Sequence, residues 1–285
     1  MIFRNIGNIK SLATTKILPS STSCSFMSEQ TTHRPTLRVL KILEILSETP
    51  AEGLTLSELA HQMSTPASSL LPFAKTLATE GYLTMSESTM RYSLGYRCLS
   101  FSAAFMSTSD AYSVLKKEME AATEACEEIC QAGILRGGNV FYVAKEDAPQ
   151  ALRLVSSVGK LVPATATAIG KALLCDHSRE QICALYPTGL PTLTDFSITD
   201  IDVIMRQLYE IKSGGFARDV DESLLHLRCF ALPIRVNGRI DCAISISTPS
   251  FRMNSEKEEH VKKLLSQARD HIEKKFSYLN RGISG

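Results

Sequence analysis

The chain has 285 residues, about two domains at roughly 150 residues each, which excludes a peptide hormone or a disulfide-stapled miniprotein. Apolar residues make up 44% and charged residues 21%, the usage of a globular protein, and no run of eighteen apolar residues is present to span a membrane. Thirty-one Lys and Arg against thirty Asp and Glu leave a net charge of +1, so bulk charge does not draw the chain to nucleic acid or acidic lipid and any such contact must come from local geometry.

The first 26 residues carry Arg4, Lys10 and Lys16 and a Ser/Thr cluster without an acidic residue, a composition shared with transit peptides. Their apolar residues are too dispersed for a secretory segment, and Met27-Ser28-Glu29-Gln30 reads as an alternative start, so residues 1–32 are expected to form a disordered tail. From Pro35 to Leu46, Leu37, Leu40, Leu43 and Ile45 or Leu46 recur at three and four, which predicts an amphipathic helix ended between Pro50 and Gly53. Thr55 three residues before Glu58 is a capping box, predicting a short helix to Met63 that buries Leu56, Leu59 and Met63. Ser64 and Thr65 turn the chain into another helix with Leu70, Phe73, Ala74 and Leu77 inward and Gly81 as its left-handed stop. Two short alternating strands, YLTM and MRYSL, follow around the turn Ser86 to Thr89. That order is a winged helix-turn-helix over residues 33–95.

A helical linker over residues 96–109 leads to a longer helix from Ala111 to Cys130. GILRGGNVFYVAKE then reads as two strands joined at Gly137-Gly138-Asn139, and LPIRVNGRIDCAISIS as two strands joined by Asn237-Gly238, a strong hairpin signal. Helical segments fall at Ala168 to Leu174, Arg179 to Leu185 and Thr199 to Ser213, and a last helix opens on a Ser255–Glu258 capping box with Val261, Leu264, Leu265, Ala268, Ile272 and Phe276 inward. Residues 110–281 are thus expected to form an antiparallel sheet flanked by helices, making the whole chain α+β. The eight cysteines are scattered without metal-binding spacing, as in a reduced cytosolic protein. Cys126 and Cys130, four apart on the expected helix, read as core packing. No metal and no cofactor are assigned.

LRVLKILEILSETPAEGLTLSELAHQMSTPASSLLPFAKTLATEGYLTMSESTMRYSLG, with PATATAIGKALL, GGFARDVDESLLHLRCFALPIR and AISISTPSFR, resembles the IclR family of bacterial transcriptional regulators from about Pro35 to Leu279. The resemblance implies a winged helix on operator DNA, a linker helix used in dimerisation, and a C-terminal domain that binds a small effector, commonly a carboxylate, aromatic acid or sugar-derived acid. It implies homodimers or homotetramers in the cytoplasm and no enzymatic activity. It places Ala67, Ser68 and Ser69 at the start of the recognition helix and Arg91 on the wing; with Thr65 and Lys75 these are the DNA-facing candidates. It places Asp219, Cys229, Ser245, Ser247 and the turn at Ala168 and Ile169 around the effector.

The chain departs from the family where the recognition helix usually carries a basic residue and a His-Arg pair: Ala67, Leu71 and Pro72 stand there. Residues 33–95 hold five basic against six acidic residues, unusual for a DNA reader, whose affinity comes largely from phosphate neutralisation. Pro72 predicts a kink in the helix or a helix that begins near it. These features support a rival reading, a ligand-binding module or enzyme whose winged helix contacts protein.

Among the effector candidates, Ser245 and Ser247 lie two apart on a strand and project to one side, which suits a pocket. Asp219 and Asp221 would share a face, Asp219 accepting from a ligand hydroxyl. Cys229 reads as a pocket wall or core; as a nucleophile it would need a base, and His226 is the one nearby in sequence. Arg228 should point to the opposite face into a structural salt bridge. Gly170-Lys171 is not a phosphate loop, because Thr165 and Ala172 occupy the positions of its Gly and Ser/Thr. Helix amides after Thr165 and Thr167 would face a small anion, or the threonines serve only as caps.

Overall fold

The computed structural model describes residues 33–49, 51–149 and 158–284, so the expectations for residues 1–32 and Met27 lie outside the described residues. The chain begins with α1 (Arg34–Glu48), β1 (Leu54–Thr55), α2 (Leu56–Gln62), α3 (Ala67–Thr79), β2 (Leu83–Ser86) and β3 (Arg91–Leu94). The wing has a third strand that the sequence reading missed, in the order β1-β3-β2, with Thr55 opposite Arg91. The capping box forms as read: Thr55 Oγ1 accepts from the Glu58 amide at 3.3 Å, and Glu58 Oε2 accepts from the Thr55 amide at 2.7 Å. Gly81 adopts φ +75° and ends α3's turn into β2.

Ile42, Leu46, Leu59, Leu70, Ala74, Leu77, Leu83 and Tyr92 form the core of this half. The buried stripe of α1 is rotated from the expected one, since Leu37 and Leu40 stay 47% and 50% exposed while Ile42 is buried. A 3.6-residue period fits both stripes, and the positions of α3 and β3 decide between them. Pro72 lies inside α3, neither at its start nor as a break.

Next come α4 (Cys98–Thr108) and α5 (Asp110–Cys126), which meet at Ser109, extended in backbone and capping α5 through the Tyr112 amide at 3.1 Å. α5 is shorter than expected: Glu127 takes the left-handed φ of +58° and stops it, so Cys130 falls on a strand and does not share a helical face with Cys126. Both thiols are nonetheless buried in one core.

The second sheet comprises β4 (Ile129–Arg136), β5 (Asn139–Glu146), β6 (Leu161–Pro163), β7 (Ala217–Val220), β8 (Leu227–Val236) and β9 (Arg239–Pro249), in the antiparallel order β6-β5-β4-β9-β8-β7. Asn237 and Gly238, at φ +50° and +79°, make the tight β8–β9 turn that the sequence announces. Alternate strand residues split between two cores. Phe230, Ile244 and Ile246 pack beneath α5 and α9 (Ser255–Leu279), while Val140, Cys229, Ala231 and Ala243 face α6 (Ala168–Leu174) and α8 (Ile201–Lys212); α7 (Arg179–Leu185) follows α6. α9 is capped by Asn254, whose Oδ1 accepts from the Lys257 amide at 2.8 Å, so Ser255 is the first helical residue and not half of a capping box.

α6 sits close to the preceding 3-10 turn at Ala164–Ala166 because residue 170 is glycine: a Cβ there would lie 2.1 Å from the Ala164 carbonyl oxygen and 2.3 Å from its Cα. Those are backbone atoms, which cannot swing aside. Gly170→Ala is expected to lower stability by about 3 kcal/mol, seen as a fall in the urea midpoint, whereas Gly137→Ala, whose added Cβ meets nothing within 4 Å, is limited to the strain of its positive φ.

Candidate functional site

Strand register gathers the C-terminal candidates. Asp219 lies opposite Cys229 and Cys229 opposite Ser247, while Ala231 lies opposite Ser245 and Ser245 opposite Gln131. These are side chains of one face, the face that α6 covers with Ala168 and Ile169. Gly133 on β4 makes room for the neighbouring strand β5: a Cβ on it would be 2.6 Å from Val140 Cγ1 and 3.1 Å from the Phe141 carbonyl oxygen, while Ile169 Cδ1 lies at ordinary contact distance, 3.5 Å. Asp219, Cys229, Ser245 and Ser247 are all buried. Ser247 Oγ is a junction, 3.1 Å from Cys229 Sγ and donating to Gln131 Oε1 at 3.3 Å. Tyr142 joins the same wall, its hydroxyl pushed up by burial.

Asp219 and Asp221 do not share a face. Asp219 ends in the interior, whereas Asp221 takes φ +61° in the turn after β7 and accepts from the Leu227 amide at 3.2 Å. Both oxygens of Asp219 are already engaged: Oδ1 accepts from the amides of Glu222 at 2.9 Å and Ser223 at 3.3 Å, and Oδ2 from the Ser223 hydroxyl. Burial raises its carboxyl above the usual 3.8 against these bonds. Cys229 is likewise raised, by burial and by the Asp219 charge, the reverse of an activated nucleophile. His226, the base nearby in sequence, is exposed at φ +63° in the turn before β8 and is not brought to that buried thiol. The salt bridge expected of Arg228 does not form among the described residues, and its buried Nε has no partner.

The residue that sequence reasoning missed is Lys171. Its side chain is fully buried, and its ammonium donates to both carboxylate oxygens of Glu222 at 2.6 and 2.7 Å and to the Arg218 carbonyl at 2.8 Å. Three donors meet three acceptors, which is what a cation needs to remain inside a protein. The pair ties α6 to the β7–β8 turn, and Thr194 and Ser197 hydroxyls hold that turn from outside through the Asp221 and Glu222 carbonyls. The sequence did carry a signal: AIGKALL has one polar side chain in a segment where every residue is buried. Thr167 caps α6 through the Gly170 amide at 3.0 Å, while the Thr165 hydroxyl lies buried beside the Tyr186 hydroxyl.

On the winged helix, α3 exposes Ser68, Pro72, Lys75 and Thr76 on the side opposite Leu70, Ala74 and Leu77. Ser69 is half-buried, Ala67 packs partly into the core, and Thr65 turns its hydroxyl onto the Met63 carbonyl at 3.0 Å. Arg91 is committed elsewhere. Its guanidinium forks onto Glu58 at 3.0 and 3.1 Å and donates to the Gly53 carbonyl at 2.8 Å, locking β3 to the start of α2 and leaving Lys75 as the exposed cation among these candidates. Among the described residues no cluster of His, Cys, Asp or Glu could hold a metal ion, and no helix is long and apolar enough to cross a membrane.

The model of the IclR helix-turn-helix domain matches residues 35–86, and that of the bacterial transcriptional regulator IclR C-terminal domain matches residues 103–274. The HTH-type transcriptional regulator KdgR of Escherichia coli (strain K12) is 28% identical over 236 residues, 82% of this chain and 89% of KdgR. An IclR transcriptional regulator structure from Alicyclobacillus acidocaldarius superposes with a TM-score of 0.79 at 22% identity, covering 86% of this chain and 99% of that one. An IclR homologue from Microbacterium hydrocarbonoxydans, solved in complex with 4-hydroxybenzoate, superposes with a TM-score of 0.70 at 21% identity, covering 84% and 97%.

Lys171→Met would leave Glu222 buried and unpaired, at an expected cost of about 3–5 kcal/mol, and the double change Lys171→Met with Glu222→Leu should recover most of it in urea titrations. Asp219 binds its proton more tightly folded than unfolded, so stability falls as pH rises through the interval above 3.8. Asp219→Asn should remove that slope from a pH series of denaturation curves.

Proposed function

The chain belongs to the IclR family of bacterial transcriptional regulators, and from that membership we propose that it acts in the cytoplasm on operator DNA under the control of a small carboxylated catabolite. The chain is a regulator with an N-terminal helix-turn-helix and a C-terminal effector-binding domain. What supports a small polar effector is one observation: Asp219, Cys229, Ser245, Ser247 and Gln131 bring hydroxyl, thiol, amide and carboxyl groups together on a buried sheet face whose other side chains are alanine, aliphatic residues and Tyr142. A few convergent polar groups on an apolar wall are the composition of a small-molecule site. Lys171 is neutralised by Glu222, so the carboxylate of a ligand would be held by the Ser245 hydroxyl, and by that of Ser247 once its proton turns from Gln131, with Ala168 and Ile169 as the apolar roof. The 4-hydroxybenzoate bound by the Microbacterium homologue is an acid of this class.

For DNA the proposed contacts are Ser68, Ser69 and Lys75 on α3, with Thr65 and Ala67 shaping its start; Arg91 acts as a brace for the wing. One cation on the reading face supports modest affinity per protomer, offset by presenting two or more winged helices together. Exposed Leu99, Phe105 and Met106 on α4 support a homodimer or homotetramer joined along the linker.

Fluorescence anisotropy with the duplex upstream of its own gene, beside a scrambled duplex, tests this reading. Preferential binding that weakens log-linearly with salt, and is lost on Ser68→Glu with Ser69→Glu, is expected; binding to neither duplex at low salt would favour a protein-contact role for the winged helix. Ser245→Ala with Ser247→Ala should weaken release of DNA by 4-hydroxybenzoate or other small carboxylates at least about tenfold while leaving duplex affinity intact.

A further inference from the structure

Pro72 has no amide hydrogen, so the Ser68 carbonyl, which would accept from residue 72 in an uninterrupted helix, lacks its helical donor. The helix nevertheless runs unbroken from Ala67 to Thr79. Ser68 and Pro72 are both exposed, one turn apart in the N-terminal half of α3, the part of a recognition helix that meets base edges. The neighbouring groups do not compete for the same contact. Thr76 turns its hydroxyl back onto the Pro72 carbonyl at 2.9 Å, and Arg91 is held by Glu58. At that turn α3 therefore presents a main-chain acceptor beside an apolar pyrrolidine ring.

We infer that the Ser68 carbonyl and the Pro72 ring together read one A·T base pair in the major groove of each half-site. The carbonyl accepts from the adenine N6 amino group, and the ring packs on the thymine methyl. An A·T pair carries the adenine amino donor and the thymine methyl on one edge, with the thymine O4 between them; a G·C pair offers the cytosine amino donor without a methyl, and the guanine edge offers acceptors that repel a carbonyl. The inference rests on α3 being the DNA-reading helix, and it assigns specificity to a proline and a backbone group where a charged side chain would be the usual reader.

The test is selection from randomised duplexes with full-length protein and with Pro72→Ala, followed by affinity measurements on the selected duplex with the thymine in question replaced by deoxyuridine. The wild-type motif should contain an A·T pair whose preference is lost in Pro72→Ala while the other positions persist. Loss of the single methyl should weaken wild-type binding by about fivefold and leave Pro72→Ala unchanged. Restoring the amide should leave the variant melting at or above the wild-type temperature, so a folding defect does not mimic the result, and the deoxyuridine measurement on the wild-type protein stands without the variant. Identical motifs from both proteins, or wild-type indifference to deoxyuridine at every thymine, would overturn the inference while leaving DNA reading intact. Failure of the wild-type protein to enrich any sequence would overturn the reading of α3 itself.

Discussion

A fully buried lysine ammonium must find its acceptors inside the protein, and Lys171 finds them in Glu222 and the Arg218 carbonyl. Much of the C-terminal site follows from that need. Glu222 can reach Lys171 only if the chain turns sharply after β7, which Asp221 accomplishes with a positive φ and Asp219 secures by accepting the Glu222 and Ser223 amides. The same turn returns β8 so that Cys229 stands opposite Asp219, and β9 so that Ser247 stands opposite Cys229. An apolar pair in place of the ion pair could match its contribution to stability. It would not tie α6, β7 and the turn at fixed points, because apolar contacts are not directional.

The face proposed for the effector is one side of a shared sheet. β8 and β9 place Cys229, Ser245 and Ser247 beneath α6 and the intervening Phe230, Ile244 and Ile246 beneath α5 and α9, so a shift of either strand is felt on both sides. Beyond α5 the contacts continue toward the winged helix. Tyr112 meets Phe105 edge to face, Phe101 stacks on Tyr82 with centroids 5.7 Å apart, and Arg97 joins Glu80. The extended residue Ser109 breaks the helix between them, giving α4 and α5 separate axes that rigid aromatic contacts hold in register. Effector control needs two arrangements of such elements with different affinities for ligand and DNA, and a helix break bounded by aromatic contacts is a place where two can differ.

Local chemistry made most of the fold legible. The Thr55–Glu58 box, the Gly81 stop, the Asn237-Gly238 turn and the alternation that puts Ser245 with Ser247 each involve residues within four positions of one another, and each forms as read. The misreadings have a common cause, partners distant in sequence. The brace that Arg91, the DNA-facing candidate on the wing, makes with Glu58 escapes local pattern because the two lie 33 residues apart. Lys171 was passed over because Glu222 is 51 residues away, and a lone lysine between apolar residues is more often the solvent-facing edge of a helix. β1 is two residues long, below any alternation signal, and exists through pairing with β3. α5 ends on a left-handed glutamate where a glycine would have announced the stop.

The charge of the winged helix follows from the same pairing. Of the five basic residues in residues 33–95, Arg91 is neutralised by Glu58 and Lys41 sits by Glu44, so few full charges remain for phosphates. Phosphate contacts supply affinity without sequence information, whereas base edges supply discrimination. If α3 is the reading face, its few cations and small groups would bind nonspecific duplex weakly, and preference for a cognate site would depend on base-edge contacts made with the helix seated deep in the groove. Small side chains would permit that depth: on the proposed reading face Ser68, Ser69 and Pro72 would let the α3 backbone come close to the bases, where a long arginine would hold it away. Weak attraction to phosphate and close approach to bases reinforce each other, because a protein that lingers little on random DNA needs less absolute affinity to find its own site.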